Sequence, residues 1–264
     1  MGNDYHKGAW RSDSVAIATG RARVPVRPTW PGMDQYRGDV LHSSEYRNGD
    51  PWKGRAVLVV GFGNSACAQA LDLVERGAQV HLSVRSPVNV LPRDIFGVVP
   101  VMPLGIVMRR LPTRVADALA WPMVRSTVGD VRKVGLEKLP YGPNTQMARD
   151  RHVPLLDIGT MDQIRQGHSN VHGDLDRSTE DGVVFSNDSR ITLDVVVLAT
   201  RYRPSIEDLL VGWETVCDSS GTPTVSGAPT ALQGLYFCGM YVSPAGMLRE
   251  IGIEATRIAN HISV

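Results

Sequence analysis

Cysteine is scarce: Cys67, Cys217 and Cys238 are the only three in 264 residues. They form no CxxC pair and no metal-ligand spacing. That argues against a dithiol–disulfide flavoprotein reductase and against a metal centre, and reads each as a small buried hydrophobe in a reducing, cytoplasmic setting. Long apolar runs are missing too. The apolar stretch at residues 95–108 is broken by Pro100, Pro103 and Gly105 and is too short to span a bilayer. No apolar segment of the signal-peptide kind follows Met1. Neither sign of charge dominates: 28 basic against 27 acidic residues leave a net charge of +1. The chain therefore has no global field to recruit nucleic acid or an anionic membrane. No tyrosine is followed four residues on by lysine, so the proton-transfer pair of a short-chain dehydrogenase is absent. No nucleophile, triad or paired-carboxylate pattern stands out, and no catalytic side chain is assigned.

What is present centres on residues 53–85. Residues 55–60, RAVLVV, form a β-branched run that reads as a strand buried on both faces. It breaks into Gly61-Phe62-Gly63-Asn64-Ser65-Ala66. Ala66, Ala70, Leu71 and Val74 then recur at helical spacing up to Gly77, and a second buried run, residues 80–84, ends at Arg85. Strand, glycine turn, helix and strand make a dinucleotide-binding fingerprint in its proper context. Gly61 permits the sharp turn, and Gly63 clears the approach to a pyrophosphate. Ala66 lets the helix pack close to the strand. The first helical N–H groups, with Asn64 and Ser65 beside them, face the phosphates. Where an NAD site usually carries an acid, this chain has Arg85 and Ser86, which suit a 2′-phosphate. The reading is NADP(H) over NAD(H).

Along the rest of the chain, residues 15–20 read as a small apolar strand ending in Thr19-Gly20. Residues 104–131 carry helical spacing interrupted by Pro112 and Pro122, which predicts two or three short helices. Residues 133–151 read as a polar loop. Residues 170–175 and 182–186 read as strands of a small antiparallel excursion. Residues 194–200 form another buried strand and residues 235–239 the last one. A final helix over residues 246–262 is predicted to bury Ile251, Ala255, Ile258, Ala259 and Ile262.

Several stretches together resemble the class B flavin-dependent monooxygenases, the flavin-containing and YUCCA-like type. They are Ile17-Ala18-Thr19-Gly20; residues 36–46, similar to FxGxxxHxxxY with Tyr36 for Phe; the glycine turn at 61–66; residues 84–94; Pro154 to Thr160; Leu198-Ala199-Thr200 with Arg203-Pro204; and the closing Gly234 to Phe237 segment. The resemblance covers residues 15–262. It implies an α/β fold: a Rossmann-type NADP-binding domain, residues 53–193, inserted into the remnant of a second, FAD-binding Rossmann-like domain. The remnant and linker would be residues 1–52 and its C-terminal part residues 194–264. The activity implied is that of an oxidoreductase: hydride passes from NADPH to FAD, and a small organic substrate is then oxygenated through a flavin C4a-hydroperoxide. Thr19, Gly20, Thr200 and Gly239 are the residues the resemblance sets toward the cofactors, and it places Arg93 and Asp94 near the nicotinamide.

The chain departs from the family pattern twice. The family's first glycine-rich loop, which holds the FAD pyrophosphate, is expected before Val15, where only the first fourteen residues stand. The family's second Ala-Thr-Gly reads Ala199-Thr200-Arg201 here, and arginine is expected to resist the left-handed backbone that glycine allows. A truncated or split monooxygenase is one reading. The alternative is a non-catalytic or half-enzyme NADP-binding protein that needs a partner chain for the FAD loop. Among other candidates, His42 and Tyr46 read as structural residues, and Cys67 as core rather than redox-active.

Overall fold

The structure, a computed structural model, describes residues 10–95, 99–108, 111–150, 152–243 and 246–263. The chain begins β1 (Val15–Ile17), β2 (Val24–Pro25), β3 (Asp39–His42), β4 (Ala56–Val60), α1 (Asn64–Glu75) and β5 (Gln79–Ser83). An insertion follows, with β6 (Val90–Pro92), β7 (Asp94–Ile95), β8 (Val99–Pro100), α2 (Val101–Met108), α3 (Thr113–Thr127) and α4 (Pro143–Asp150). Then come β9 (Leu155–Asp157), α5 (Thr160–Arg165), β10 (Ser169–His172), β11 (Leu175–Thr179), β12 (Gly182–Phe185), β13 (Arg190–Thr192) and β14 (Val195–Leu198). The chain closes with β15 (Tyr202–Arg203), β16 (Leu235–Phe237) and α6 (Met247–Ile262). These fall into two compact units, residues 25–201 and residues 1–24 with 202–264. Among the described residues no helix is long and apolar enough to cross a membrane, and no group of three metal-ligating side chains occurs.

The larger unit is built on a five-stranded parallel sheet in the order β10-β5-β4-β14-β3. β4 (AVLVV) and β14 (VVVL) lie at its centre because they can be buried on both faces. The alternation of a strand sorts their side chains. Val57, Val59, Val195 and Val197 face α1 and α5, where Ala66, Ala70, Leu73 and Ile164 close the core. Leu58, Val196 and Leu198 face the other way, toward Val183, Phe185 and Leu193. There the antiparallel sheet β11-β12-β13 covers them.

This sheet corrects several expectations. The five-stranded sheet reaches beyond the predicted residues 53–193. β3 pairs with β14 from Asp39↔Val195 to His42↔Leu198, so residues predicted to belong to the flavin remnant lie in this sheet. Tyr36 reinforces that edge by donating to the Leu193 carbonyl at 3.1 Å. Residues 170–175 divide: β10 joins the parallel sheet beside β5, and only β11 belongs to the antiparallel one. The His81 and His172 rings help to fix β10, with Nδ1 and Nε2 2.9 Å apart and His172 stacked on Phe185. Burial, then the neighbouring imidazole, pushes His81 down to about 4, so the pair is neutral near neutral pH.

The insertion differs in two places. α3 runs through Pro122 instead of breaking there. Part of the predicted loop at 133–151 is the helix α4, because the Asp117 carboxylate of α3 accepts from Asn144 N at 2.8 Å and Thr145 N at 3.1 Å. A cap supplied 27 residues away leaves no local sequence signal.

The smaller unit pairs β1 with β16 in parallel, Val15↔Leu235 to Ile17↔Phe237. Ile206, Val216, Phe237 and Met240 make one core cluster, and Tyr236, Cys238 and Ile258 another. The predicted face of α6 holds at Ile258 and the half-buried Ile251 and fails elsewhere. The helix buries Glu250, Glu254 and Ile258, while Ala255, Ala259 and Ile262 face solvent. The two glutamates carry the inward face because they have polar partners there.

Candidate functional site

In a parallel sheet all carboxyl ends lie along one edge, and a ligand crevice opens where the chain reverses its direction of travel across the sheet. In the larger unit that point is between β4 and β14. The chain moves from β4 outward to β5 and β10, then returns on the other side of β4 to β14. The edge there gathers Gly61, Gly63, Asn64 and Ser65 after β4, Arg85 after β5, and Thr200 after β14.

The two glycines do different work. Gly61 has φ +118°, and a Cβ on it would lie 2.7 Å from the Ala199 carbonyl oxygen. Its N–H donates to the Ser83 carbonyl at 3.0 Å, so the turn is locked against both neighbouring strands. Gly63 is extended, at φ −112° and ψ −178°, and a Cβ there would meet nothing within 4 Å. It is the N-cap of α1 and offers no side-chain cap, so the first N–H groups of a 12-residue helix are left for another acceptor. Ala66 is fully buried against the sheet, which brings the helix start close to the strand. A diphosphate fits this cradle on charge and space: uncapped donors, the positive end of a helix dipole, and open volume in front of Gly63.

The polar side chains are less uniform. Asn64 spends its amide oxygen on Leu156 N at 3.0 Å, tying α1 to β9, while Ser65 is exposed. Arg85 is exposed two residues beyond β5 and has no ion pair among the described residues, so its guanidinium is free for an anion. Arg93 pairs with Asp94 at 3.7 Å. Thr200 lies in the larger unit, and its hydroxyl donates to the Val26 carbonyl at 2.6 Å. Cys67 is fully buried on α1, and burial pushes its thiol up to about 12, which disfavours the thiolate.

Arg201 departs from expectation. It does not resist the left-handed backbone but adopts it, at φ +78°. Two hydrogen bonds hold its carbonyl there, from Val26 N at 3.1 Å and with His42 Nε2 at 3.2 Å. His42 is fully buried, and burial lowers its pKa and keeps it neutral. Tyr46 likewise ties elements together, donating to Asp72 of α1 at 2.6 Å.

In the smaller unit, Thr19 and Gly20 follow β1 and Gly239 follows β16, on the same edge of the parallel pair. Gly20 has φ +74° with open space around its Cα, and Gly239 has φ +82°. Among the described residues this unit pairs two parallel strands, β1 and β16, and α6 follows β16 beyond Gly239 and Gly246.

A family model described as flavin-binding monooxygenase-like matches residues 4–215. The chain belongs to this family. Among curated flavin monooxygenases, the indole-3-pyruvate monooxygenase YUCCA4 of Oryza sativa subsp. japonica is 34% identical over 253 residues, which are 96% of this chain and 57% of that protein. YUCCA6 of Arabidopsis thaliana is 32% identical over 278 residues, covering 98% and 66%. The chain thus spans roughly three-fifths of the monooxygenases it matches. Solved structures share the fold. The flavin-containing monooxygenase from Stenotrophomonas maltophilia matches with a TM-score of 0.61 at 17% identity, covering 95% of this chain and 63% of that one. Cyclohexanone monooxygenase from Rhodococcus sp. Phi1 bound to NADP+ matches with a TM-score of 0.61 at 16% identity, covering 96% and 61%.

Sequence reasoning missed two parts of the site. The Ala199 carbonyl that walls Gly61 is a tertiary contact with no local signature. Glu254, behind Gly239, was hidden because a glutamate in an amphipathic helix reads as solvent-facing.

Proposed function

We propose that this chain is the NADPH-handling and part of the flavin-handling machinery of a monooxygenase that oxygenates a small organic substrate. The observation that carries the reading is the uncapped start of α1 behind Gly61 and Gly63, set at the switch point with Arg85 at the end of the next strand. Bound NADPH supplies a hydride, and bound FAD accepts it and then delivers oxygen from O2 to the substrate. The chain's own residues bind and orient. The N–H groups of Ser65 and Ala66 take the NADPH pyrophosphate, Gly63 gives it room, and Arg85 with Ser86 takes the 2′-phosphate. Thr19, Gly20 and Gly239 border FAD with backbone, and Thr200 stands at the end of β14 in the larger unit. No side chain of this chain is assigned a covalent role.

The named relatives act on an α-keto acid or a cyclic ketone, which favours a carbonyl-bearing substrate. We assign the apolar described residues of the insertion, 87–95, 99–108 and 111–131, to the wall that excludes water from it. The free, buried Cys67, Cys217 and Cys238 fit a reducing compartment, and we place the protein in the cytoplasm. A second reading follows from the two-stranded parallel sheet of the smaller unit: the FAD pyrophosphate loop comes from a further polypeptide segment or from a partner chain.

The visible spectrum of the purified chain, taken alone, with FAD and then with NADPH, tests the reading. A bound-flavin spectrum that bleaches on NADPH and recovers in air is the expected result. A colourless protein that ignores FAD yet is thermally stabilised by NADPH supports the half-enzyme reading, and loss of both responses overturns the proposal.

A further inference from the structure

Behind the end of β16 lies a carboxylate that the cofactor reading above does not use. Glu254, in the middle of α6, is 4% exposed. Its Oε2 accepts two hydrogen bonds, from Gly239 N at 2.6 Å and from the Ser226 hydroxyl at 2.7 Å. The same Ser226 oxygen accepts from Met240 N at 3.1 Å. The Gly239 and Met240 amides are therefore both consumed, one directly and one through a serine, by a single buried carboxylate. Charge-assisted bonds of this kind are short and strong, and the low-dielectric surroundings make their loss costly.

The neighbouring backbone is shaped to admit this side chain. Gly227 has φ +73°, and a Cβ on it would lie 2.6 Å from Glu254 Cγ. Gly227 N donates to the Phe237 carbonyl at 2.8 Å, so the glycine that makes room for Glu254 is itself fastened to β16. Ile251, one turn earlier on α6, stands 3.4 Å from where a Cβ on Gly239 would be. The left-handed turn at Gly239 is thus held by Glu254 and Ile251 of α6 and, through Met240 N, by Ser226.

A planar trans peptide sends its N–H and C=O in opposite directions. With Gly239 N–H aimed at α6, the Cys238 carbonyl is turned away from the helix. The orientation of backbone at the carboxyl end of β16, where a ligand of this unit must lie, is therefore dictated by Glu254.

We propose that Glu254 is a positioning residue of the flavin site: it touches no cofactor, and it sets the Gly239–Met240 turn against which FAD rests. The assignment rests on the flavin reading of this unit given above.

Glu254→Ala, Glu254→Gln and the unaltered chain are compared by FAD titration, by visible circular dichroism of the bound flavin, and by amide hydrogen exchange. Glu254→Ala, which loses both bonds to the carboxylate, is expected to weaken FAD binding about tenfold or more and to change the flavin dichroism. Glu254→Gln, which keeps an acceptor at the same reach, restores both to near the unaltered values. Stabilisation by NADPH, a property of the larger unit, stays the same in all three. The Gly239 and Met240 amides exchange faster in Glu254→Ala alone. Unchanged exchange at those two amides overturns the proposal whether or not FAD binds, as does a glutamine variant as damaged as the alanine one. Failure of the unaltered chain to bind FAD, with Gly239 still protected by Glu254, instead overturns the flavin reading.

Discussion

The two units carry comparable strand ends but assemble them differently. In the larger unit, the proposed nucleotide cradle runs from Gly61 to Ser86, with only Ala199 and Thr200 added from the end of β14. In the smaller unit, β1 pairs with a strand more than 200 residues later, and the turn after that strand is held by a glutamate on yet another element. The first site is a local object that the chain builds as it turns; the second exists only after its distant parts have met. The comparison teaches that a site can be read from sequence to the degree that its parts are contiguous.

The sharpest way to break the comparison is at the two glycines of the larger unit. Gly61→Ala forces a side chain into positive φ and against the Ala199 carbonyl, and should cost about 3 kcal/mol in urea unfolding. Gly63→Ala should change stability by less than about 0.5 kcal/mol, since the Cβ enters open space from extended backbone. Yet it should weaken NADPH binding about tenfold or more by filling the pyrophosphate approach. Equal stability losses in the two variants would mean that Gly63 has a structural role like that of Gly61.

Arg85→Ala probes the next strand end with a smaller effect. NADPH affinity, followed by fluorescence titration, should fall about tenfold, with NADH affinity unchanged. A matched loss for both nucleotides would take the 2′-phosphate away from this arginine.

The smallest effect is expected at Arg201, where the larger unit holds a side chain in a glycine conformation. Arg201→Gly should stabilise the chain by about 0.5–1 kcal/mol through relief of the left-handed strain. A destabilised variant would show that the hydrogen bonds to its carbonyl, from Val26 and with His42, depend on more than backbone conformation.

The strand–turn–helix unit, its central strands and the strands β1 and β16, though not their pairing, were legible because apolar runs and the glycine turn each leave a local mark. The resemblance supplied Thr19, Gly20 and Gly239, which composition and spacing alone could not. Other features depended on tertiary contacts. β3 belongs to the nucleotide sheet because its register with β14 fits, and the residues 39–42 show no such preference by themselves. Arg201 looked like a departure from the family pattern, yet its neighbours hold it in the pattern's backbone shape. The inward face of α6 was misread because hydrophobic periodicity is blind to a glutamate that is buried for its hydrogen bonds.

The Asp117 cap on α4 has a consequence for how the insertion folds. Its carboxylate is also 2.5 Å from the Thr145 hydroxyl, and Gly142 lies so close to it that no larger residue could stand there. An eight-residue helix is too short to persist in water by itself. α4 therefore exists only while α3 is in place, and the two must form and melt as one cooperative block. Native-state hydrogen exchange would see the insertion open as a single foldon, separate from the sheet that carries the nucleotide cradle.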